Sequence, residues 1–262
     1  MSQNHVSNST ELRTIVAVKS NGCAPRLFGS AHTAIEKLRC KHSEFEHGER
    51  VEHRIAQYEF FPETPVFAKP YWTSGIEFEW DKGSGTSENA EEHILQLSVP
   101  EHVLSRIAIH EAGHIVAGCI NSVAKNGEHR LNWATCVPHP PISGEHGYFG
   151  ICDDAEDSYI DSRLDDFQSH LDEAVFAWGG EVAEHLLLRT SHLSEADQGN
   201  IEKVWEHYSN TSIDKSIKSQ GRKETTELLT LHLGTLWHVA KQLSEQLVLT
   251  RQEITCLLQL EL

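Results

Sequence analysis

His110-Glu111-Ala112-Gly113-His114 is the stretch on which the reading of this chain turns. It lies in a run from about Glu101 to Ile120 whose apolar residues, among them Leu104, Ile107, Ala108, Ile115 and Val116, recur at helical spacing. Two histidines at i and i+4 on a helix leave the same face, one turn apart. That spacing lets both imidazoles bind one small metal ion, with the intervening glutamate beside it. His-Glu-x-x-His on a helix therefore points to a zinc hydrolase site, with His110 and His114 as ligands and Glu111 as general base. The chain has 18 histidines and 39 acidic residues in 262, so the pentapeptide is not specific by itself. Its surroundings have to carry the rest.

Working outward, Ser98 and Glu101 have the spacing of a capping box, with Pro100 in the first turn of the helix. Asn121 and Gly127 bracket its end. Leu131 to Val137 and Gly147 to Ile151 predict two short strands around a turn-rich loop, Pro138 to Gly144. One long helix is expected from about Asp161 to Leu188, with Gly179-Gly180 interrupting its stripe. Ser194 and Asp197 begin another capped helix that continues through Ile201, Val204, Trp205 and Tyr208. Residues 211 to 222 are expected as a polar loop, Lys223 to Leu247 as an amphipathic helix, and Thr250 with Glu253 as the cap of a last one.

Toward the N-terminus, Arg13 to Val18, Tyr58 to Phe61 and Gly75 to Trp80 have strand character, and Ala31 to Arg39 suits a short helix. His42 to His53, dense in His and Glu, is expected as a solvated face. Asp81 to Asn89 is the best linker. These elements predict an α+β protein. Residues 1–90 form an N-terminal segment of unknown role, partly β, that could cover a cleft. Residues 91–262 are expected to form a mainly helical domain with a small sheet, built on the His-Glu-x-x-His helix.

A net charge of −17 argues against general binding to nucleic acid or to an anionic membrane. Met1 to Leu12 lacks the apolar core of a signal peptide, and no apolar stretch is read as long enough to span a bilayer. Six scattered cysteines, at 23, 40, 119, 136, 152 and 256, form no Cys-x-x-Cys and suit reduced thiols in a cytoplasmic setting. No phosphate-binding loop of the Walker type is present.

A catalytic zinc takes three protein ligands and keeps one position open. Asp197, in a capped first turn, is the leading candidate for the third, with Glu181, Glu184, His185 and His192 as alternatives. A carboxylate there also has an ordinary use against the helix dipole.

From about residue 98 to 262 the chain resembles the peptidase domain of the FtsH family of ATP-dependent zinc metalloproteases. His110-Glu111-Ala112-Gly113-His114 matches its zinc helix letter for letter. Val137-Pro138 followed by Gly147-Tyr148 resembles its strand, proline loop and glycine-led strand. Gly179-Gly180-Glu181-Val182-Ala183-Glu184 resembles its Gly-Gly-x-x-Ala-Glu helix. Ser194-Glu195-Ala196-Asp197 falls where the family has a small residue and then a ligand Asp, and Leu247 to Ile254 resembles its C-terminal Leu-Thr-x-x-Glu-Ile.

The resemblance implies Zn2+ on His110, His114 and Asp197, Glu184 as hydrogen-bond partner of a ligand histidine, and hydrolysis of peptide bonds assisted by Glu111. The strand through Gly147, Tyr148 and Phe149 would pair with substrate backbone. The family's ATPase module and membrane segments have no counterpart, and Gln198 stands where the family usually has an apolar residue. ATP-driven unfolding is therefore not implied. The expected substrates are peptides or unfolded segments, with a separate unfoldase or adaptor as the natural partner. The oligomeric state stays open, because the family's hexamers form through the missing ring. The rival readings are a zinc hydrolase of a small amide, a silent binding protein with a relic site, and a latent protease.

Overall fold

The computed structural model describes residues 11–20, 23–42, 53–59, 71–78, 92–126, 129, 131–138, 150–154, 167–189, 197 and 214–259. The architecture is α+β, and the chain divides into two compact units between Leu104 and Ser105. That division falls beyond the linker read at 81–89, because the strand following the linker belongs to the first unit.

The first unit holds a five-stranded sheet of order β2-β1-β5-β3-β4. Its strands are β1 (Leu12–Ser20), β2 (Arg26–Phe28), β3 (His53–Glu59), β4 (Tyr71–Phe78) and β5 (Glu92–Pro100), with one helix, α1 (Ala31–His42). The Thr-Ile-Val-Ala-Val run of β1 suits a central strand, and it pairs antiparallel with β5 from Leu12↔Pro100 to Ser20↔Glu92. β3 joins β5 in parallel. Val16, Val18 and Ile94 pack on Ala34 and Leu38 of α1, while Ile15, Ala17, Leu95, Leu97 and Val99 of the opposite face are also buried. Ser30 caps α1 by accepting from the Thr33 N–H at 3.1 Å.

The expected capping box at Ser98 does not form. Ser98 pairs with Thr14 inside β5, and α2 (Glu101–Asn126) begins directly where that strand ends. The Glu101 N–H, an orphan donor of the helix start, is met by the Glu11 carbonyl at 2.9 Å. Over Glu101–Ala124, α2 is long and apolar enough to cross a membrane by length and composition, which corrects the reading that no stretch reaches that length. Its window is mostly buried inside the protein. Residues on several sides of it, such as Ile109, Ala112, Ile115 and Ala117, are buried, as in a central helix rather than a surface one.

The second unit surrounds α2 from Ser105 onward with α3 (Phe167–Ala177), α4 (Gly179–Leu188), α5 (Asp214–Leu231), α6 (Leu233–Gln246) and α7 (Arg251–Leu257). It adds a three-stranded antiparallel sheet, order β7-β6-β8, of β6 (Leu131–Thr135), β7 (Ile151–Asp154) and β8 (Val248–Thr250). β7 starts where the expected strand Gly147 to Ile151 ends. Gly147, Tyr148 and Phe149, the substrate-strand candidates, lie outside the described residues, as do the helix expected from Ser194 to Tyr208, Asp197 excepted, and nearly all of the His/Glu run from His42 to His53.

The helix expected from Asp161 to Leu188 is two helices joined at Trp178. The backbone ladder continues through the joint, Trp178 N–H to the Ala174 carbonyl at 3.0 Å and Val182 N–H to the Trp178 carbonyl at 3.1 Å. The joint lies at a backbone crossing. A Cβ at Gly113 would fall on the carbonyl of Gly179, and one at Gly179 would lie 2.6 Å from the carbonyl oxygen of Gly113. The two glycines let α2 and α4 touch main chain to main chain. Gly113→Ala is expected to destabilise the fold by about 3 kcal/mol and to lower Tm by roughly 10 °C, since backbone cannot swing aside as a side chain can. Thermal unfolding followed by circular dichroism measures this, and an unchanged Tm would mean that the helices can separate at no cost.

Residues 211 to 222, expected as a loop, are helical from Asp214. Ile217, Gly221, Thr225 and Leu229 form a buried stripe four residues apart. Two of its members are Gly and Thr, so an apolar count misses it. Thr225 compensates by donating to the Val175 carbonyl at 3.0 Å. The helix expected from Lys223 to Leu247 breaks at His232, between α5 and α6. Thr250 and Glu253 form the expected capping box at the start of α7.

Candidate metal centre

His110 and His114 leave α2 one turn apart with ring centroids 4.9 Å from each other. Asp197, in helical backbone and buried, meets both. His110 Nε2 lies 3.0 Å from Asp197 Oδ2 and His114 Nε2 3.4 Å from Asp197 Oδ1. One donor atom from each of the three residues lies within 4.8 Å of the others, so this buried group can hold a metal ion.

The far side of each ring is also occupied. His114 Nδ1 donates to the Phe176 carbonyl at 2.8 Å. A carbonyl only accepts, so the Nδ1 proton is fixed and neutral His114 turns a bare Nε2 lone pair toward Asp197. His110 Nδ1 donates to Glu184 Oε1 at 3.0 Å, leaving its Nε2 aimed the same way. The other Glu184 oxygen accepts from Arg106 Nε and Nη2, at 3.0 and 2.6 Å. Gly180 matters here because a side chain on it would overlap the His110 imidazole.

Glu111 is buried one residue beyond His110. Its Oε2 accepts from the Cys152 thiol of β7 at 3.3 Å. A Cβ on Gly150 would come within 2.6 Å of its Oε1, so the approach to β7 walls the carboxylate closely.

No protein-family model matches the chain, and no curated protein matches it either. The nature of the centre rests on its donors. Two neutral imidazole nitrogens and a carboxylate are ordinary zinc ligands, and tetrahedral bonds of about 2.0–2.1 Å put neighbouring ligand atoms about 3.3 Å apart. One atom from each of the three residues lies within 4.8 Å of the others, close enough for a single ion to reach all of them. Each bare Nε2 lone pair faces a carboxylate oxygen, an arrangement that calls for a cation or a proton between them. The residues present fit a zinc ion.

The same geometry governs titration of the metal-free centre. Burial opposes charge on His110, but hydrogen bonds to Asp197 and Glu184 outweigh it and lift the pKa to about 10. Burial likewise opposes charge on His114, and Asp197 again prevails and raises it. Burial also works against an ionised Asp197, yet the two histidines hold its carboxyl well below the usual range. Glu111 moves the other way, with burial raising it and the histidines offsetting only part of that. At neutral pH the metal-free site therefore holds at least the His110 proton, which a metal ion must displace. Metal affinity is expected to rise with pH through neutrality, by about tenfold per pH unit or more, as at least one proton is released per metal bound. Calorimetry in buffers of different ionisation enthalpy counts that proton, and a count of zero would contradict the assignment.

The sequence-derived candidates separate cleanly. His110, His114 and Asp197 converge, Glu111 sits beside them, and Glu184 holds His110. Glu181 instead pairs with Arg222 at 3.1 Å, His185 is exposed, and His192 lies outside the described residues. Sequence reasoning missed Arg106 and Cys152. Arg106 could have been found from its place one turn before His110. Cys152 had no local signal, and neither did the Phe176 carbonyl.

Proposed function

We propose that the chain is a zinc-dependent endopeptidase of the FtsH type that hydrolyses peptide bonds in peptides or unfolded segments. The observation that carries this is the pair of Nε2 atoms facing one buried carboxylate, with Glu111 at the next position on the helix. A bound zinc supplies Lewis acidity toward the substrate carbonyl and an acidified water. Glu111 takes the proton from the attacking water and delivers it to the leaving amide nitrogen. Its burial suits that task, since a carboxylate with a raised pKa holds a transferred proton more readily. Glu184 and the Phe176 carbonyl keep both imidazoles oriented. The Cys152 thiol holds one Glu111 oxygen.

The test is zinc analysis of the purified protein beside digestion of casein and a peptide library, with and without a chelator. The reading expects about one zinc per chain, internal cleavage, loss of cleavage on chelation and recovery with added Zn2+. Bound zinc with no cleavage of any peptide, and turnover of small amides instead, would replace the peptidase by a small-amide hydrolase.

A further inference from the structure

Resting on the zinc reading above, we propose that Arg106 is a positioning residue of the metal centre: it fixes Glu184, and through Glu184 it fixes His110. Arg106 stands one turn before His110 on α2, so the two side chains leave the same face. Its two donors converge on Glu184 Oε2, which leaves Oε1 to accept from His110 Nδ1. Each carboxylate oxygen has one task. The Glu184 side chain is 2% exposed and that of Arg106 is 23% exposed. A carboxylate so deeply buried requires a cation to offset its lost hydration, and among the described residues Arg106 is the arginine that meets it.

Formal charge leads to the same place. Ionised Glu111, Glu184 and Asp197 carry three negative charges, and a divalent metal with Arg106 carries three positive ones. Removing Arg106 leaves the buried cluster one charge out of balance and Glu184 free to turn. His110 then loses the acceptor that fixes its tautomer, and its Nε2 lone pair no longer points at one place. His114 is not exposed to this failure, because its orienting acceptor is a backbone carbonyl. Arg106 touches neither metal nor substrate, so its influence is read in metal affinity.

The experiment is zinc affinity by competition with a chromophoric chelator, on the full chain, for the parent and four variants: Arg106→Leu, Arg106→Lys, Glu184→Gln and the double Arg106→Leu/Glu184→Gln. Arg106→Leu is expected to weaken zinc binding about tenfold or more. Arg106→Lys restores part of that, since lysine returns the charge without the planar fork. The double variant is expected within about twofold of Glu184→Gln alone, because both changes act along one path. A merely structural role for Arg106 would add its loss in full to that of Glu184→Gln. Such additivity, or parental affinity in Arg106→Leu, overturns the inference and leaves the zinc reading standing. A parent that binds no zinc overturns both.

Discussion

Glu111→Gln is expected to keep the metal and to slow peptide hydrolysis by roughly a thousandfold. The exchange preserves shape. The glutamine carbonyl can still accept from the Cys152 thiol, and the close approach of Gly150 meets a side chain of the same length. What disappears is the group that accepts a proton and hands it on, and burial is what suits Glu111 to that exchange. Glu111 is not among the three residues whose donor atoms cluster, so zinc content should stay near the parent's. Turnover numbers on one peptide, beside metal analysis of the same preparations, decide the matter. Parental turnover would remove Glu111 from the chemistry. Loss of zinc would make it a ligand instead.

Asp197→Ala is expected to weaken zinc binding by more than about a hundredfold, beyond what partners outside the ligand set command. Among the described residues it is Asp197 that spans both rings, with one oxygen toward each Nε2. Without it, two imidazoles from one helix remain, one protein ligand short of a catalytic site. The same substitution removes the anion that raises both histidines. In the metal-free protein their pKa values should therefore fall, and a proton NMR titration of the imidazoles measures this independently of zinc. Asp197→Asn is the milder companion. It keeps a carbonyl donor, and its zinc affinity should fall between those of the parent and of Asp197→Ala. Unchanged imidazole titration in Asp197→Ala would separate Asp197 from the rings and dissolve the proposed centre.

The centre was unevenly legible in the sequence. His110, Glu111 and His114 announce themselves because helix periodicity turns a five-residue spacing directly into one face. From spacing alone Asp197 could only be ranked among several acids and histidines, since nothing local says which distant helix turns toward that face; the family resemblance is what singled it out. Spacing alone did not choose between Glu181 and Glu184 either; the family resemblance singled out Glu184. They are three residues apart on α4, yet one meets His110 and the other Arg222. Local pattern also misled where small residues do the packing. The Ile217, Gly221, Thr225, Leu229 stripe looked polar, and the long helix ending at Leu188 was expected to run through Trp178. The capping box at Ser98 lost to strand pairing, because a full antiparallel ladder with β1 satisfies more backbone than one side-chain cap.

Sequence by itself determined the helix that carries His110, Glu111 and His114, the cap of the last helix and the α+β class, all of which follow from patterns within a few residues. Only the tertiary structure decided that Gly113 and Gly179 cross, that Arg106 and Glu184 stand behind His110, and that a backbone carbonyl orients His114. Those are contacts between residues tens of positions apart, and their energy exists only once the helices have packed.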